Sequence, residues 1–185
     1  MARQTWRAGN FVYPLPAVMI TSKNGDVENV FTAAWTGTIC SDPAMTYVSI
    51  RKERYSHDII KESGVFCINL TTEELAYATD YVGVKSGRDE NKFETLGLET
   101  ETATQIDCPM LKKSPVVIEC EVEEIKELGS HDMFIGEVVA VDVDKKYMDK
   151  KGKFDLDACK LITYSHGEYI KLGKIIGKFG FSVKK

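Results

Sequence analysis

The sequence lacks the features that mark several large classes of protein. No apolar run approaches the ~20 residues that a helix needs to span a bilayer, and the first stretch, MARQTWRAGNFVYPLPAV, contains no uninterrupted apolar segment of the signal-peptide type. The formal net charge is −4 at pH 7, whereas a protein that binds nucleic acid through its whole surface is usually basic. We therefore expect neither a membrane association nor a nucleic-acid partner.

Cysteine and histidine are few and widely spaced. The five cysteines, at positions 40, 67, 108, 120 and 159, are odd in number and no two of them are close in sequence, which favours neither a disulfide framework nor a zinc ribbon. None of the three histidines belongs to an HExxH motif, and there is no GxSxG nucleophile motif. These absences predict a protein of the reducing cytoplasm without a metal site or an activated nucleophile.

What is present is a series of short apolar strands in a chain of 185 residues, 43% of them hydrophobic. No repeat or Pro/Gly/Ser-rich linker divides the chain, so we expect one domain over 1–185. The alternating βαβ rhythm of a Rossmann sheet and its GxGxxG motif are missing. We predict a mainly β fold, a closed or half-closed antiparallel barrel with short helices, with strands at 15–22, 27–37, 45–51, 65–70, 116–127 and 133–144.

Three local signals refine this fold. Ser56 predicts the N-cap of a short helix over 57–63, and Thr71 and Glu74 have the spacing of a capping box ahead of a second helix. In the fifth predicted strand the in–out alternation of apolar residues changes phase. One extra residue near Glu123–Glu124, a β-bulge, would account for that change.

A cluster of cations at the end of the third predicted strand is the candidate for anion binding. Arg51, Lys52 and Arg54 stand directly ahead of the helix that Ser56 begins. A helix N-terminus offers free N–H groups and a partial positive charge, and arginine adds a bidentate fork for phosphate oxygens. The cluster predicts a phosphate site; the alternative is a solvated charged turn.

The stretch from Thr32 to Thr36, TAAWT, sets small side chains around one tryptophan. Small side chains let a flat ligand approach the backbone, whose N–H and C=O groups can bind the polar edge of a heterocycle, with Trp35 on or beside the ring. The alternative is ordinary core packing. Among the histidines, we expect His57 and His131 at the surface, whereas His166 could face a pocket or occupy a turn.

Taken together, these segments resemble a known family. The order PLPAVMITS, a hairpin, FTAAWTGTICSDPAMTYVSIRKERYSHDIIKESGVFCINL, SGRDENKFETLGL and a late HGEYIKLG is similar to that of the flavin reductase-like, FMN-binding split-barrel family, in its flavoredoxin-type branch, from about Phe11 to Gly173. The resemblance implies a Greek-key FMN-binding split β-barrel that works as a homodimer. It also implies that FMN binds non-covalently near the dimer interface and that NADH or NADPH delivers a hydride to flavin N5.

The resemblance further implies which residues form the site. The isoalloxazine ring would be lined by Thr32, Ala33, Ala34, Trp35 and Thr36. The ribityl phosphate would be surrounded by Ser49, Arg51, Arg54 and Ser56, and Ile50 belongs to the same cofactor-binding set. Asn69 would contact the ribityl chain or a nearby backbone group, and Lys92 and Phe93 would lie near the flavin, where Lys92 could add charge at the phosphate. His166 would stand beside the nicotinamide as the catalytic residue.

Three functions are compatible with these residues. The first is an NAD(P)H:flavin oxidoreductase that passes electrons to free flavin or to a partner such as a monooxygenase or another redox protein. The second is a flavoredoxin-like FMN electron carrier with little direct NAD(P)H activity. The third is a flavin-binding barrel without turnover, or a relative that acts on another substrate such as a pyridoxal-type phosphate. The choices between NADH and NADPH, and between FMN and FAD, stay open.

Overall fold

The computed structural model describes residues 2–183, which form three antiparallel sheets and three short α-helices. The strands are β1 (Leu15–Pro16), β2 (Val18–Asn24), β3 (Val27–Ala33), β4 (Thr36–Ser41), β5 (Ala44–Arg51), β6 (Val65–Leu70), β7 (Thr100–Thr102), β8 (Pro109–Leu111), β9 (Val116–Leu128), β10 (His131–Val143), β11 (Ile162–Ser165) and β12 (Glu168–Lys171). The helices are α1 (Tyr55–Ser63), α2 (Ala76–Val84) and α3 (Lys92–Leu96). The mainly β prediction is therefore confirmed.

The main sheet has seven strands in the order β3–β2–β6–β9–β10–β5–β4, each antiparallel to its neighbours. Its two edge strands, β3 and β4, are consecutive in sequence and are joined by Ala34 and Trp35 alone. The sheet is not closed, and a hydrogen bond of 2.8 Å from Ser49 N to Trp35 O ties the connection to β5. The predicted split barrel is confirmed, and residues 34–35 cross its split.

The prediction of one continuous strand over 27–37 was wrong. The chain leaves the hydrogen-bond ladder after Ala33, where β3 pairs with β2, and it rejoins the sheet at Thr36, where β4 pairs with β5. The predicted strand 15–22 is also divided, because residues 15–16 pair with β11 in a separate sheet of order β1–β11–β12. Periodicity alone did not reveal these breaks, because the apolar pattern continues through them.

The barrel interior is filled by alternate residues of the main sheet. Along β5, Thr46, Val48 and Ile50 point inward and are buried, whereas Ser49 and Arg51 lie on the opposite face. Ile50 is 1% exposed, so its side chain belongs to the core. The central cluster consists of Val18, Ile20, Phe31, Ala33, Val48, Ile50, Ile60, Phe66, Ile68, Cys120 and Phe134.

The predicted N-cap at Ser56 is not formed. Helix α1 has Arg54 as its N-cap, with extended backbone and no side-chain capping bond, and Ser56 is the second residue of the helix, fully buried. The Ser56 hydroxyl instead accepts hydrogen bonds from Asn29 Nδ2 at 2.8 Å and from Ser22 Oγ at 3.0 Å. These tertiary partners outweigh the local capping preference, because a buried hydroxyl must be hydrogen-bonded.

The predicted capping box is also absent, whereas the predicted bulge is present. Thr71 Oγ1 donates to Ala17 O at 2.6 Å, and Glu74 forms an ion pair of 2.8 Å with Lys113. Between β9 and β10 the pairing register shifts so that Glu123 has no partner. This extra residue is the β-bulge that the phase change in the sequence predicted.

Candidate functional site

A cavity of about 460 Å³ lies at the split of the barrel, within the range of about 300–1,000 Å³ that small-molecule sites usually have. We call it the main cavity. It is bounded by the connection between β3 and β4, the end of β5, the start of β10, helix α2 and the β11–β12 hairpin. The predicted site residues that line it are Thr32, Ala33, Ala34, Trp35, Ser49, Ile50, Arg51 and Arg54.

One wall of the main cavity is the connection across the split. Ala34 and Trp35 lie outside both strand ladders, and neither backbone N–H donates to any group within residues 2–183. The nearby hydroxyls are already used, because Thr32 Oγ1 donates to Thr79 O and Thr36 Oγ1 donates to a β5 carbonyl at 2.5 Å. Thr36 itself is buried and does not line the cavity. The backbone amides of Ala34 and Trp35 are therefore available donors on this wall, and they suit the polar edge of a flat heterocycle.

An aromatic pair occupies the wall beside these amides. The ring of His131 lies on that of Trp35, with centroids 4.6 Å apart and planes inclined by 35°. Burial and the Arg51 guanidinium lower the pKa of His131 below its ordinary value, so the ring is neutral at pH 7. His131 is half-buried rather than a plain surface residue, because its ring lines the cavity. It begins β10 directly opposite Arg51, and only that strand pairing brings it to the cavity.

Arg51 and Arg54 stand where the main cavity meets a second cavity of about 330 Å³. Arg54 Nη1 donates to Gly83 O at 3.0 Å. Arg51 Nη1 lies 3.3 Å from Glu53 Oε1, but both side chains are more than half exposed, so this pair contributes little. Most of the guanidinium N–H groups are therefore available to an anion.

Helix α1 begins beside the second cavity. It has no side-chain cap, and the N–H groups of Tyr55 and Ser56 have no acceptor within residues 2–183. Free N–H groups at a helix N-terminus favour a bound anion. Lys85 and Lys92 also line this cavity. The second cavity thus combines the predicted arginines, a helix start and two further cations.

Lys92 is the most buried of these cations, with 2% of its surface exposed. Its Nζ donates to Val82 O at 3.1 Å and to Lys85 O at 3.2 Å. Burial lowers the pKa of Lys92 to about 8, and repulsion from Arg54 adds to the effect. The acceptors belong to the end of α2, where the helix dipole favours a cation. Lys92 therefore fixes this helix end and carries charge at the wall of the second cavity.

Five predicted site residues border neither cavity: the buried Thr36 and Ser56, His166, and the two core residues Asn69 and Phe93. Asn69 is fully buried; its Nδ2 donates to Met19 O at 3.0 Å and its Oδ1 accepts from Leu111 N at 2.8 Å. Its amide is therefore committed to joining three strands. Phe93 packs against the core cluster beneath α2. Neither residue borders the main or the second cavity, so neither stays in the candidate site.

His166 lies next to the main cavity without lining it. Its backbone is left-handed, with φ of 53°, in the turn of the β11–β12 hairpin. The exposed ring packs on the N-terminal segment, 5.5 Å from the ring of Phe11 and 5.8 Å from that of Tyr13. The neighbouring Gly167 is the turn residue that borders the cavity.

Helix α2 and the β11–β12 hairpin add residues that the sequence did not single out. Asp80, Tyr164 and Tyr169 line the main cavity. Burial and the neighbouring Asp80 raise the pKa of Tyr169 to about 12. Helix α2 can approach the cavity wall closely because residue 83 is glycine: a Cβ there would stand 3.0 Å from Thr32 Cβ. No local motif marks these residues, since the fold alone brings them together.

Comparison with known protein families shows which family this chain belongs to. The family described as flavin reductase like domain matches residues 9–172. The chain belongs to the flavin reductase-like family. Flavoredoxin of Desulfovibrio vulgaris (Miyazaki F) has a similar structure, with a TM-score of 0.91 and 30% identity over 99% of this chain and 100% of that chain.

Two sequence relatives of this flavin reductase-like chain come from Archaeoglobus fulgidus. An uncharacterized protein is 33% identical over 158 residues, which are 85% of this chain and 88% of that protein. A ferric-chelate reductase (NAD(P)H) is 28% identical over 138 residues, which are 74% and 73% of the two chains. The residues that line the main and second cavities all fall within the segment that matches the family.

Two features are absent from the described part of the flavin reductase-like chain. Within residues 2–183, no group of three or more His, Cys, Asp or Glu side chains is placed to hold a metal ion. No helix in that part of the chain has the length and apolar character needed to cross a bilayer.

Proposed function

We propose that the main and second cavities together bind FMN non-covalently and that the protein catalyses hydride transfer from NADH or NADPH to it. The observation that carries this proposal is a single groove with two free backbone amides at one end and two arginines with free donors at the other. Such a groove suits an elongated ligand with a flat polar-edged ring and an anionic tail. FMN has both parts, and when bound it supplies the redox chemistry of the reaction.

Each part of the groove has a separate task in this proposal. The N–H groups of Ala34 and Trp35, which have no acceptor within residues 2–183, would donate to the polar edge of the ring. Arg51 and Arg54 would pair with the phosphate through charge-assisted hydrogen bonds. Lys92 would add positive charge from behind the second cavity. No acid–base pair is required, which agrees with the absence of a nucleophile motif.

We assign the histidine on the nicotinamide side to His131. It lines the main cavity, is held against Trp35, and is kept neutral by its surroundings. The assignment of this role to His166 stays a prediction with weaker support, because its ring packs on Phe11 and Tyr13 outside the cavity. Substituting each histidine by alanine and comparing the KM for NADH and NADPH separates the two assignments.

A second candidate function is that of an FMN electron carrier with little direct NAD(P)H activity. The identity of 30% with a flavoredoxin over nearly the whole chain favours it, and both functions need the same groove. In either case a monooxygenase or another redox protein is a suitable partner. A reducing, cytoplasmic location is supported by the five cysteines, all of which are free thiols.

We also propose that the protein is a homodimer. Residues 172–183, the C-terminal arm, carry six apolar side chains that are between 59% and fully exposed: Leu172, Ile175, Ile176, Phe179, Phe181 and Val183. Exposed apolar groups on this scale mark an interaction surface. A specific interface buries about 800 Å² per partner, and each aromatic side chain supplies about 150–250 Å² of that. The arm starts at the end of β12, close to the cavity wall, so a second copy is a fitting partner.

One anaerobic titration tests the proposed function. The visible spectrum of the purified protein is recorded with FMN, and NADH or NADPH is then added without oxygen. Loss of flavin absorbance at a rate above that of free FMN supports the reductase. If bound FMN stays oxidised, the electron-carrier function would replace the reductase function as the proposal. Failure to bind FMN would overturn both.

A further inference from the structure

Asp132 is a buried carboxylate that holds the connection between β5 and α1 at two points. Its Oδ2 lies 2.9 Å from His57 Nε2, and its Oδ1 lies 3.3 Å from Lys52 Nζ, in an ion pair without hydrogen-bond alignment. Lys52 belongs to the turn after β5, and His57 belongs to the first turn of α1. Between these two points lies Arg54. One side chain of β10 therefore anchors both flanks of that arginine.

The His57 side of this network is locked. The ring is 4% exposed, its Nδ1 lies 2.8 Å from Asp58 Oδ1, and it packs edge-on against Phe134 at 5.3 Å. The expectation that His57 is a surface residue was therefore wrong. With a carboxylate oxygen at each ring nitrogen, the ring donates to both when both nitrogens carry a proton. This arrangement fixes the position of α1 relative to β10.

The contacts of Asp132 with His57 and Lys52 also explain how the Asp132 carboxylate stays charged although it is buried. Burial acts to raise the pKa of Asp132, but the hydrogen bond from His57 and the charge of Lys52 outweigh it and hold that pKa below its ordinary value. A buried carboxylate that lost its partners would be strongly destabilising. The β5–α1 connection can therefore move away from β10 only by breaking the buried hydrogen bond between His57 and Asp132.

The other face of the same strands carries the candidate phosphate site. Arg51 pairs directly with His131, the residue before Asp132, and Arg54 borders both cavities. Because successive side chains of a strand point to opposite faces, Asp132 fixes the backbone from the core side while His131 and Arg51 face the cavity. The side chains of Asp132 and His57 line neither cavity, but the network is one residue away from His131, and the His57 N–H donates to Arg54 O at 3.0 Å.

We infer that Asp132 and His57 are positioning residues that set the two arginines for a phosphate, so that the preference for phosphorylated flavin depends on side chains that do not touch it. The inference rests on the proposed function, because it takes the phosphate of FMN as the anion. It extends that function by naming what determines the choice between FMN and riboflavin, which share the ring and differ in the phosphate. A purely structural anchor would affect the binding of both flavins equally.

The test compares the dissociation constants of FMN and riboflavin by fluorescence titration of the full-length protein. The variants are Asp132→Asn, His57→Gln and Lys52→Met, and the readout is the ratio of the riboflavin constant to the FMN constant. We expect this ratio to fall by about tenfold in Asp132→Asn, the scale of one charge-assisted hydrogen bond, with the riboflavin constant unchanged. Lys52→Met alters a half-exposed side chain, so this variant can be measured even if the two core variants do not fold. We expect the flavin ratio to fall in Lys52→Met as well.

The matched control is Glu119→Gln. Glu119 is also a fully buried carboxylate, and it accepts hydrogen bonds from Thr104 N and Gln105 N. It lies on β9 opposite Ala140, at the far end of β10 from Asp132. Its substitution should lower the melting temperature without changing the flavin ratio.

The outcomes separate this inference from the proposed function. Equal weakening of both flavins in Asp132→Asn, or an unchanged ratio in all three variants, would overturn the positioning role while leaving the phosphate site standing. A wild-type protein that binds riboflavin as tightly as FMN would instead remove the phosphate site, and this inference with it. A ratio that falls in the three variants and not in Glu119→Gln supports the inference.

Discussion

His131 lies directly opposite Arg51 in the antiparallel pairing of β10 with β5, and both side chains border the main cavity. A cation one strand away opposes protonation of the imidazole, and burial acts in the same direction. The histidine is therefore neutral at pH 7 and free to stack on Trp35. This pairing joins the ring end of the proposed flavin site to its phosphate end through a single pair of strands.

The first prediction concerns the titration of His131. Arg51→Gln removes the cation and should raise the pKa of His131, followed by NMR of the imidazole resonances across pH 5–8. Arg54→Gln is the control, because Arg54 borders the cavity without contributing to this shift. His131→Ala identifies the resonance. A His131 pKa that stays the same in Arg51→Gln would show that burial alone lowers it.

The second prediction concerns Lys92 and the pH dependence of stability. Its pKa is about 8 in the folded protein and about 10.5 when unfolded, so the unfolded state binds more protons between these values. The free energy of unfolding attributable to Lys92 should therefore rise as pH increases from about 8 to 10.5. Urea unfolding of the wild type and of Lys92→Met at pH 7.5 and 9.5 isolates this contribution, and the wild type should gain relative to the variant at the higher pH. If the free energy of unfolding changed equally with pH in both proteins, Lys92 would not have a lowered pKa in the folded state.

The third prediction concerns affinity for the phosphate. Arg51→Ala should weaken FMN binding by about 1–3 kcal/mol, the scale for hydrogen bonds to a charged group, when measured by fluorescence titration. Riboflavin binding should change much less, because it lacks the phosphate. Lys112→Ala, on an exposed lysine that pairs with Glu99 away from both cavities, is the control for loss of positive charge. Unchanged FMN affinity would remove Arg51 from the phosphate site.

The fourth prediction concerns the loop beside the second cavity. A Cβ at Gly87 would overlap the side-chain oxygen of Asn29 and stand 2.9 Å from Tyr55 Cδ1. Gly87→Ala should therefore reduce stability by about 1–3 kcal/mol, the usual scale for overpacking, and should weaken FMN binding as well. Gly9→Ala is the control, because a Cβ there meets nothing within 4 Å. If both variants had the wild-type midpoint in urea unfolding, the close approach of residue 87 to Asn29 and Tyr55 would be contradicted.

The fifth prediction concerns assembly. Light scattering should give the mass of a dimer for the full chain and of a monomer after removal of residues 173–185. The double variant Ile176→Asp, Phe179→Asp should act like the truncation, because it places charge on two nearly fully exposed apolar positions. Lys174→Ala in the same arm is the control and should leave the dimer intact. A dimer that survives the truncation would exclude the arm as its main interface.

The interpretation of the sequence succeeded where one segment of chain carries all the information. The bulge at Glu123 was visible as a phase change because it shifts every later side chain of the same strand. Arg51 and Arg54 do line a cavity, and they were singled out because cations at a strand end ahead of a helix favour anions; their role as a phosphate site stays a prediction. The Thr32–Thr36 stretch was found by its small residues, although Thr36 turned out to be buried outside the cavity.

The interpretation failed where a side chain is governed by a partner distant in sequence. Ser56 and Asn69 have polar groups that suit a cap or a ligand, but Asn29 and Leu111 engage them in the core. His57 and His131 were placed at the surface because each falls near a turn. Their surroundings come instead from Asp132 and Trp35, residues 75 and 96 positions away.

By itself the sequence determined that the fold is mainly β. It also predicted a phosphate-binding turn after the strand ending at Arg51, with a small-residue stretch ahead of that strand. These features are local: strand periodicity, helix starts and clustered cations act over a few residues. The tertiary structure alone decided that the chain crosses the split of the barrel at Ala34 and Trp35, and that His131 stands opposite Arg51. Both facts depend on which strands pair, and pairing is set by burial of the whole sheet rather than by any one segment.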